Sequence, residues 1–160
     1  MCPHLGGRVS PSWPTLRGAW VGLDWSHTAS HLWRALLEGV ALEYALYREG
    51  VAELYPELRL TEVRVTGGGQ HSTLWNQIKA DALETRVVQV SRAEGTPLGA
   101  ALLAGYGVGL VKDLDATARQ WIALGTACVP DRRRAAASRA RRERYRRLLT
   151  VLKDWSDIPA

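Results

Sequence analysis

The fold is decided between residues 60 and 90, LTEVRVTGGGQHSTLWNQIKADALETRVVQV. The segment LTEVRVT (60–66) is rich in β-branched residues, which predicts a strand that runs straight into Gly67-Gly68-Gly69. A helix is predicted next, with Ser72 as its cap and apolar residues at helical spacing on its buried side. The segment Val87–Val90 is predicted to be a second strand. A strand, a helix and a second strand in this order indicate an α/β protein with a parallel sheet.

The flanking segments are predicted to be helical. A helix is expected over Thr28–Tyr47, with Ser26 or Thr28 as its cap and Gly50 as its stop. Three more helices are predicted, beginning at Thr96-Pro97 and covering Asp115–Leu124 and Arg133–Trp155. Two strands are too few for a finished sheet. The chain therefore reads as an incomplete α/β domain, with an open sheet edge and an exposed apolar face that invite aggregation or self-association.

The triple glycine is the sharpest chemical signal. A strand that ends in glycines before a helix lets the backbone approach a ligand closely, and the amides at the start of that helix favour an anion or a polar purine edge. Ser72 can add a hydroxyl. The segment is neither a P-loop, since no Gly-Lys-Ser/Thr follows, nor a G-x-G-x-x-G dinucleotide motif. From the glycines alone, nucleotide contact and an ordinary tight turn both stay open.

Composition excludes several classes of protein. The chain has 160 residues, of which 46% are hydrophobic and 23% are charged, so a folded core is expected rather than disorder. No apolar run approaches the ~20 residues of a membrane-spanning helix. Two cysteines, Cys2 and Cys128, are too few for a disulfide scaffold, and a reducing cytoplasm is the expected compartment.

The basic character comes from one segment. Residues 131–147 contain nine arginines and two acids, a net charge of +7, whereas the whole chain carries +5, so that the remainder sums to −2. We favour the solvated face of a helix over specific nucleic-acid binding, because charge alone reads no sequence and no aromatic RNA platform or helix-turn-helix pattern accompanies it. A basic nucleic-acid-binding module stays the alternative.

Metal and catalytic sites find little support. Asp24, His27 and His31 are candidate metal ligands, because the two histidines are four residues apart on one helical face. A third metal ligand at good spacing is lacking. Roles in capping and packing are favoured for these residues. No catalytic nucleophile or base stands out, and no metal ligand is assigned.

Three motifs in order resemble the C-terminal part of the FGGY family of carbohydrate kinases, most closely its xylulokinase branch. The first is GAWVGL (18–23) followed after seven residues by HLWRALLE (31–38), and a proline- and glycine-rich loop precedes it. The second is VTGGGQHSTLWNQIKADAL (65–83), which is similar to the adenosine-contacting loop and helix of the family. The third is EGTPLGAALLA (94–104), similar to the small-residue helix beneath that loop. Together the motifs cover about residues 3–112.

The resemblance implies a fold and a set of ligands. It implies that residues 1–160 are a truncated C-terminal domain, a partial lobe of the ribonuclease-H-like (actin-like ATPase) fold, followed by an arginine-rich terminal helix over 131–155. In the family, ATP with Mg²⁺ and a sugar bind between two such lobes. Gly68, Gly69 and Ser72 would lie against the adenine nucleotide.

The resemblance also implies what this chain lacks. Most of the sugar pocket and the catalytic aspartate belong to the N-terminal lobe of the family, which has no counterpart here. We therefore expect a fragment of an ATP-dependent kinase of a ketose such as D-xylulose that binds ATP or ADP weakly. It would meet the sugar only with the missing lobe and would be inactive alone. An inactive scaffold or regulatory fragment is the remaining alternative.

Overall fold

The computed structural model describes residues 1–91 and 95–158, which form two compact units. The first unit comprises Met1–Arg59, Ile78–Glu84 and the chain from Pro130 onward, and the second comprises the described residues of Leu60–Gln77 and Thr85–Val129. In chain order the helices and strands are α1 (Ala29–Leu54), β1 (Glu62–Val65), α2 (Thr73–Leu83), β2 (Arg86–Val90), α3 (Gly95–Gly107), α4 (Leu114–Trp121), β3 (Leu124–Cys128) and α5 (Arg132–Ser156).

The sheet of the second unit has the order β1-β2-β3. Strand β1 runs parallel to β2, with Glu62 opposite Arg86, which confirms the predicted parallel pair. Strand β3 is antiparallel to β2, and its Cys128 lies opposite Val87. Because β2 is the central strand, Val87 and Val88 are almost completely buried. The outer edge of β1 faces no strand within the described residues.

Strand β3 was not predicted. The expected helix over Asp115–Leu124 is wrong at its end, because α4 stops at Trp121 and Leu124 already begins β3. The segment LGTAC lacks apolar alternation, and its first three residues are exposed. Pairing with β2 therefore makes it a strand, since its own sequence carries little β signal.

The first unit packs α1 against α5 and the N-terminal loop. Its core consists of Cys2, Leu16, Leu42, Tyr145 and Leu149. Two isolated antiparallel bridges, Cys2 with Ala19 and Arg8 with Trp13, hold the loop in place. The loop is thus an ordered part of this unit, although it contains no strand longer than a bridge.

Helix α1 is longer than predicted. The expected stop at Gly50 is wrong, because the helix continues to Leu54 and Tyr55 follows as its C-cap. A single glycine costs a helix about 1 kcal/mol, which a helix of 26 residues tolerates. The following Pro56 disfavours helical backbone at Tyr55, so the proline and not the glycine sets the end.

None of the helices described over residues 1–91 and 95–158 is long and apolar enough to cross a membrane.

Candidate nucleotide-binding loop

The loop after β1 turns at Gly67 and continues as one turn of 3-10 helix, Gly68–His71. Gly67 has φ 78° and ψ −177°, a backbone conformation open almost only to glycine. The amide of Gln70 donates to the carbonyl of Gly67 at 3.1 Å, which closes the turn. The strand is thereby redirected into α2 within a few residues.

The space available for a side chain differs between Gly68 and Gly69. A Cβ added to Gly69 would lie 2.5 Å from Cζ3 of Trp75, so the packing of the loop itself requires glycine there. A Cβ added to Gly68 would meet nothing within 4 Å, and Gly68 has no positive φ. The backbone of Gly68 is exposed, so a flat ligand can approach it directly.

Ser72 is the N-terminal cap of α2, as predicted. Its hydroxyl oxygen accepts a hydrogen bond from the amide of Trp75 at 3.2 Å, and its carbonyl accepts from the amide of Asn76 at 2.9 Å. The hydroxyl proton is not used in this cap and can be donated to a ligand. Ser72 is half-buried and follows the 3-10 turn directly.

Two residues that the sequence analysis did not single out support this loop. Asn76, buried in α2, donates its side-chain amide to the carbonyl of Gln70 at 2.6 Å. Gln70 is 1% exposed, and neither its Nε2 nor its Oε1 has a hydrogen-bond partner among the described residues. The apolar spacing of α2 gives no signal for either role, because both depend on how the turn folds back on the helix.

The third motif begins beside the loop. A Cβ added to Gly95, the first residue of α3, would lie 3.4 Å from Oγ1 of Thr66, the residue before the triple glycine. This proximity agrees with the expectation of a small-residue helix next to the loop. Glu94, which opens that motif in the sequence, lies outside the described residues.

The first unit contains a buried carboxylate, Glu43, which is 4% exposed. Tyr145 donates its hydroxyl to Oε1 of Glu43 at 2.6 Å, and Nη2 of Arg8 lies 3.0 Å from Oε2. Nε2 of His4 lies 3.1 Å from Oε1. Burial, and next the hydrogen bond to Glu43, raises the pKa of the Tyr145 hydroxyl. The cluster joins the N-terminal loop to α1 and α5, so its role is structural.

His31 has a capping role at the start of α1, as the sequence analysis favours, and His27 lies in the turn before this helix. Nδ1 of His31 accepts a hydrogen bond from the amide of Thr28 at 3.1 Å, and Thr28 is the N-cap of α1. Nδ1 of His27 lies 3.0 Å from Oδ1 of Asp24. Within residues 1–91 and 95–158, no three His, Cys, Asp or Glu side chains converge to hold a metal ion.

The arginines of α5 form ion pairs within the first unit. Arg142 and Arg146 contact Glu49 of α1 at 2.9 and 2.5 Å, and Arg134 contacts the buried Asp81 at 2.7 Å. Four carboxylates that precede residues 131–147 in the chain form ion pairs with arginines of α5: Glu38, Glu49, Asp81 and Glu84. The predicted solvated face is therefore also a contact surface, and much of its charge is compensated inside the chain.

Comparison with known proteins identifies the family to which this chain belongs. Residues 1–108 match the C-terminal domain of the FGGY family of carbohydrate kinases. The xylulose kinase of Bacillus subtilis is 30% identical over 157 residues, which are 95% of this chain and 30% of that protein. Glycerol kinases and a gluconokinase also match.

Solved structures show the same fold. The xylulose kinase of Lactobacillus acidophilus superposes with a TM-score of 0.77 over 94% of this chain and 30% of its own, at 24% identity. The glycerol kinase of Plasmodium falciparum, solved with ADP, gives a TM-score of 0.70 over 99% of this chain and 30% of its own, at 22% identity. The predicted fold, a partial ribonuclease-H-like (actin-like) lobe, is confirmed. The chain spans about 30% of the length of these relatives.

Proposed function

This chain belongs to the FGGY family of carbohydrate kinases, and from that premise we propose that it supplies the adenine-nucleotide side of a kinase cleft. The intact kinase would transfer phosphate from ATP to a ketose such as D-xylulose. The observation that carries the proposal is the open backbone at Gly68, next to a capped helix start, in a segment that resembles the nucleotide loop of the family.

The loop suits a nucleotide on three grounds. Gly68 leaves space where a side chain would stand, so a planar base can reach the peptide backbone. The hydroxyl of Ser72 remains available as a donor, and the first turn of α2 presents the positive end of a helix. Support from outside the chain comes from the glycerol kinase that was solved with ADP and shares this fold. We therefore assign adenine-nucleotide contact to Gly68, Gly69 and Ser72.

Phosphoryl transfer itself needs groups that we do not assign to this chain. The step depends on Mg²⁺, on a base that orients the sugar hydroxyl and on positioning of both substrates. The resemblance implies that the base is an aspartate of the N-terminal lobe. We assign no residue of this chain to Mg²⁺, and we propose that the chain alone does not phosphorylate a sugar.

The sugar is the least constrained part of the proposal. A xylulose kinase is among the curated relatives and others are among the solved structures that match, which together with the motif resemblance favours a ketose. Glycerol kinases are 36% identical over 159 residues and 41% identical over 120 residues, so glycerol is the second candidate. A cytoplasmic location and self-association through the free β1 edge also remain predictions from the sequence, as does the absence of specific nucleic-acid binding.

The proposed nucleotide contact is tested by Gly68→Val. Isothermal titration of ATP and ADP should give weak binding to the wild type and an affinity at least tenfold lower in the variant, because two methyl groups would block the base. Gly6→Val is the matched control, since a Cβ there also meets nothing within 4 Å. Equal nucleotide affinity in wild type and Gly68→Val would refute the assignment of this loop.

The proposed reaction is tested in a chimera. The matched segment of the Bacillus subtilis xylulose kinase is replaced by this chain, and ADP release is measured with and without xylulose, because the retained part of that kinase would hold most of the sugar pocket. We expect xylulose-dependent ADP release from the chimera, and none from the 160-residue chain alone. Activity of the isolated chain would overturn its proposed dependence on an N-terminal lobe, and a folded chimera without activity would overturn its proposed role in the cleft.

A further inference from the structure

A cavity of about 410 Å³ lies within the first unit, between α1, the second half of α2 and the first half of α5. Its volume falls in the range of small-molecule pockets, roughly 300–1,000 Å³. Part of its wall is apolar and includes Leu42 and Ile78. Four arginines also line the cavity: Arg34, Arg133, Arg134 and Arg141. We term it the α1–α5 cavity.

The three carboxylates that line the α1–α5 cavity are already engaged by other groups. Nε of Arg34 lies 2.7 Å from Oε1 of Glu38, and Nε of Arg134 lies 2.7 Å from Oδ2 of Asp81. The third carboxylate belongs to Asp131, which caps α5 by accepting a hydrogen bond from the amide of Arg134 at 2.9 Å. Because four guanidinium groups face three carboxylates, the wall of the cavity carries a net positive charge.

Arg133 and Arg141 are the two arginines of the cavity that retain capacity for an anion. Arg133 forms no ion pair with a carboxylate of residues 1–91 and 95–158. Nε of Arg141 lies 3.8 Å from Oε2 of Glu38, which is beyond hydrogen-bond distance, and Glu38 already pairs with Arg34. The side chain of Arg141 is 52% exposed and Arg133 is exposed as well, so both guanidinium groups are accessible to a ligand.

The spacing of these two arginines on α5 leaves an open space between them. Arg133, Ala137 and Arg141 follow one another at intervals of four residues, so they lie along one ridge of the helix. The two arginines are about 12 Å apart along the helix axis, and the small side chain of Ala137 lines the cavity between them. Ser138 also lines the cavity, and its hydroxyl forms no hydrogen bond with a described residue. Two charged donors and one neutral donor therefore surround this space.

We propose that the α1–α5 cavity binds a small phosphate monoester, whose phosphate lies over Ala137 between Arg133 and Arg141. Guanidinium groups bind phosphate through paired, charge-assisted hydrogen bonds. A phosphate group carries about two negative charges and presents several strong acceptor oxygens, which suits two guanidinium groups and a hydroxyl better than a single carboxylate does. The remainder of the ligand lies against the apolar wall. The inference is independent of the proposed nucleotide contact, because the residues of the cavity belong to the first unit and Gly68 belongs to the second.

The test is isothermal titration of the 160-residue chain with phenyl phosphate and with inorganic phosphate. Ionic strength is held constant with chloride, so that screening alone gives no signal. We expect saturable binding of phenyl phosphate with a Kd of about 1 mM or tighter, and weaker binding of inorganic phosphate, which has no apolar part. Ala137→Glu should abolish both signals, because the new carboxylate lies four residues from each arginine and pairs with them. Ala136→Glu is the matched control, since Ala136 is also exposed on α5 but does not line the cavity.

A pair of arginine variants distinguishes this site from general attraction to the basic segment. Arg133→Gln should weaken phenyl phosphate binding by about tenfold or more, as expected for the loss of one charge-assisted contact. Arg132→Gln removes the same charge from an exposed position that does not line the cavity, and it should change the affinity by less than about twofold. An equal loss of affinity in the two variants would overturn the proposed site.

Three other results would also overturn the proposal: no saturable binding of phenyl phosphate to the wild type, equal affinity in Ala137→Glu and Ala136→Glu, or binding of benzoate or inorganic phosphate as tight as that of phenyl phosphate. The outcome is separable from that of the proposed function. Gly68→Val should leave the binding of phenyl phosphate unchanged, so failure of the nucleotide assignment would not affect the α1–α5 cavity.

Discussion

Replacement of Tyr145 by Phe tests whether the buried Glu43 cluster holds the first unit together. The ring of Tyr145 packs in the core beside Cys2 and Leu149, and Phe keeps these contacts. The substitution removes only the hydroxyl, which donates to Oε1 of Glu43 at 2.6 Å. Glu43 is 4% exposed, so water cannot readily replace the lost donor.

The expected cost is about 2 kcal/mol of unfolding free energy. A hydrogen bond to a charged group contributes about 1.5–3 kcal/mol. The cost stays below the ~3–5 kcal/mol of a fully unpaired buried charge, because Arg8 and His4 remain within 3.0 and 3.1 Å of the carboxylate. Even so, this is a large fraction of the ~5–15 kcal/mol that stabilises an ordinary domain.

The contribution should also depend on pH. Burial and the bond to Glu43 raise the pKa of Tyr145 in the folded state above its ordinary value. The neutral hydroxyl is therefore favoured by folding, so this stabilisation is complete below the unfolded pKa of about 10 and is lost as pH rises above it. The unfolding free energy of the wild type should fall more steeply above pH 10 than that of Tyr145→Phe.

Urea unfolding followed by tryptophan fluorescence measures both effects, since Trp13 packs against this core. Tyr55→Phe is the control, because Tyr55 is 56% exposed. An unfolding free energy for Tyr145→Phe within 0.5 kcal/mol of wild type, a shift on the order of ordinary surface substitutions, would show that the hydroxyl is not held as described. An equal loss in Tyr55→Phe would show that the effect is not specific to Glu43.

Two further predictions concern the loop after β1. Gln70→Met should raise the unfolding free energy by about 1 kcal/mol, because the buried amide has no hydrogen-bond partner among the described residues and Met has a similar volume. A loss of stability in urea unfolding would show that the amide is hydrogen-bonded. Gly69→Ala should lower the unfolding free energy by about 1–3 kcal/mol, because the added Cβ would clash with the ring of Trp75. Gly68→Ala should change the unfolding free energy by less than about 0.5 kcal/mol. Similar shifts of the melting temperature in the two variants would contradict the packing described here.

The parallel pair β1–β2 and the cap at Ser72 could be predicted because their signals are local. β-branched runs, a turn of glycines and a capping hydroxyl act over a few residues. Strand β3 could not be predicted in this way, because its pairing partner β2 lies more than 30 residues earlier and its own sequence is weakly β-forming. The expected end of α1 at Gly50 was wrong, because the helix tolerates this glycine and ends only before Pro56.

The arginine-rich segment 131–147 likewise shows that the sequence alone does not predict which charged side chains form ion pairs. Its sequence gives a net charge but not the distance to the nearest carboxylate. Arg142 and Arg146 reach Glu49, which lies more than 90 residues earlier in the chain. Only the packing of α5 on α1 brings these groups together, so neither charge density nor helical periodicity could distinguish a free basic face from a paired one.

The structure distinguishes the roles of the three glycines, for which the sequence left both a tight turn and nucleotide contact open. Gly67 is required by its positive φ, and Gly69 by the ring of Trp75. Gly68 is required by neither, since a side chain there would meet nothing in the part of the chain that the structure describes. A tight turn alone explains the two outer glycines but not the middle one. The nucleotide contact that we propose would place a constraint on Gly68 from outside the chain, and Gly68→Val tests it.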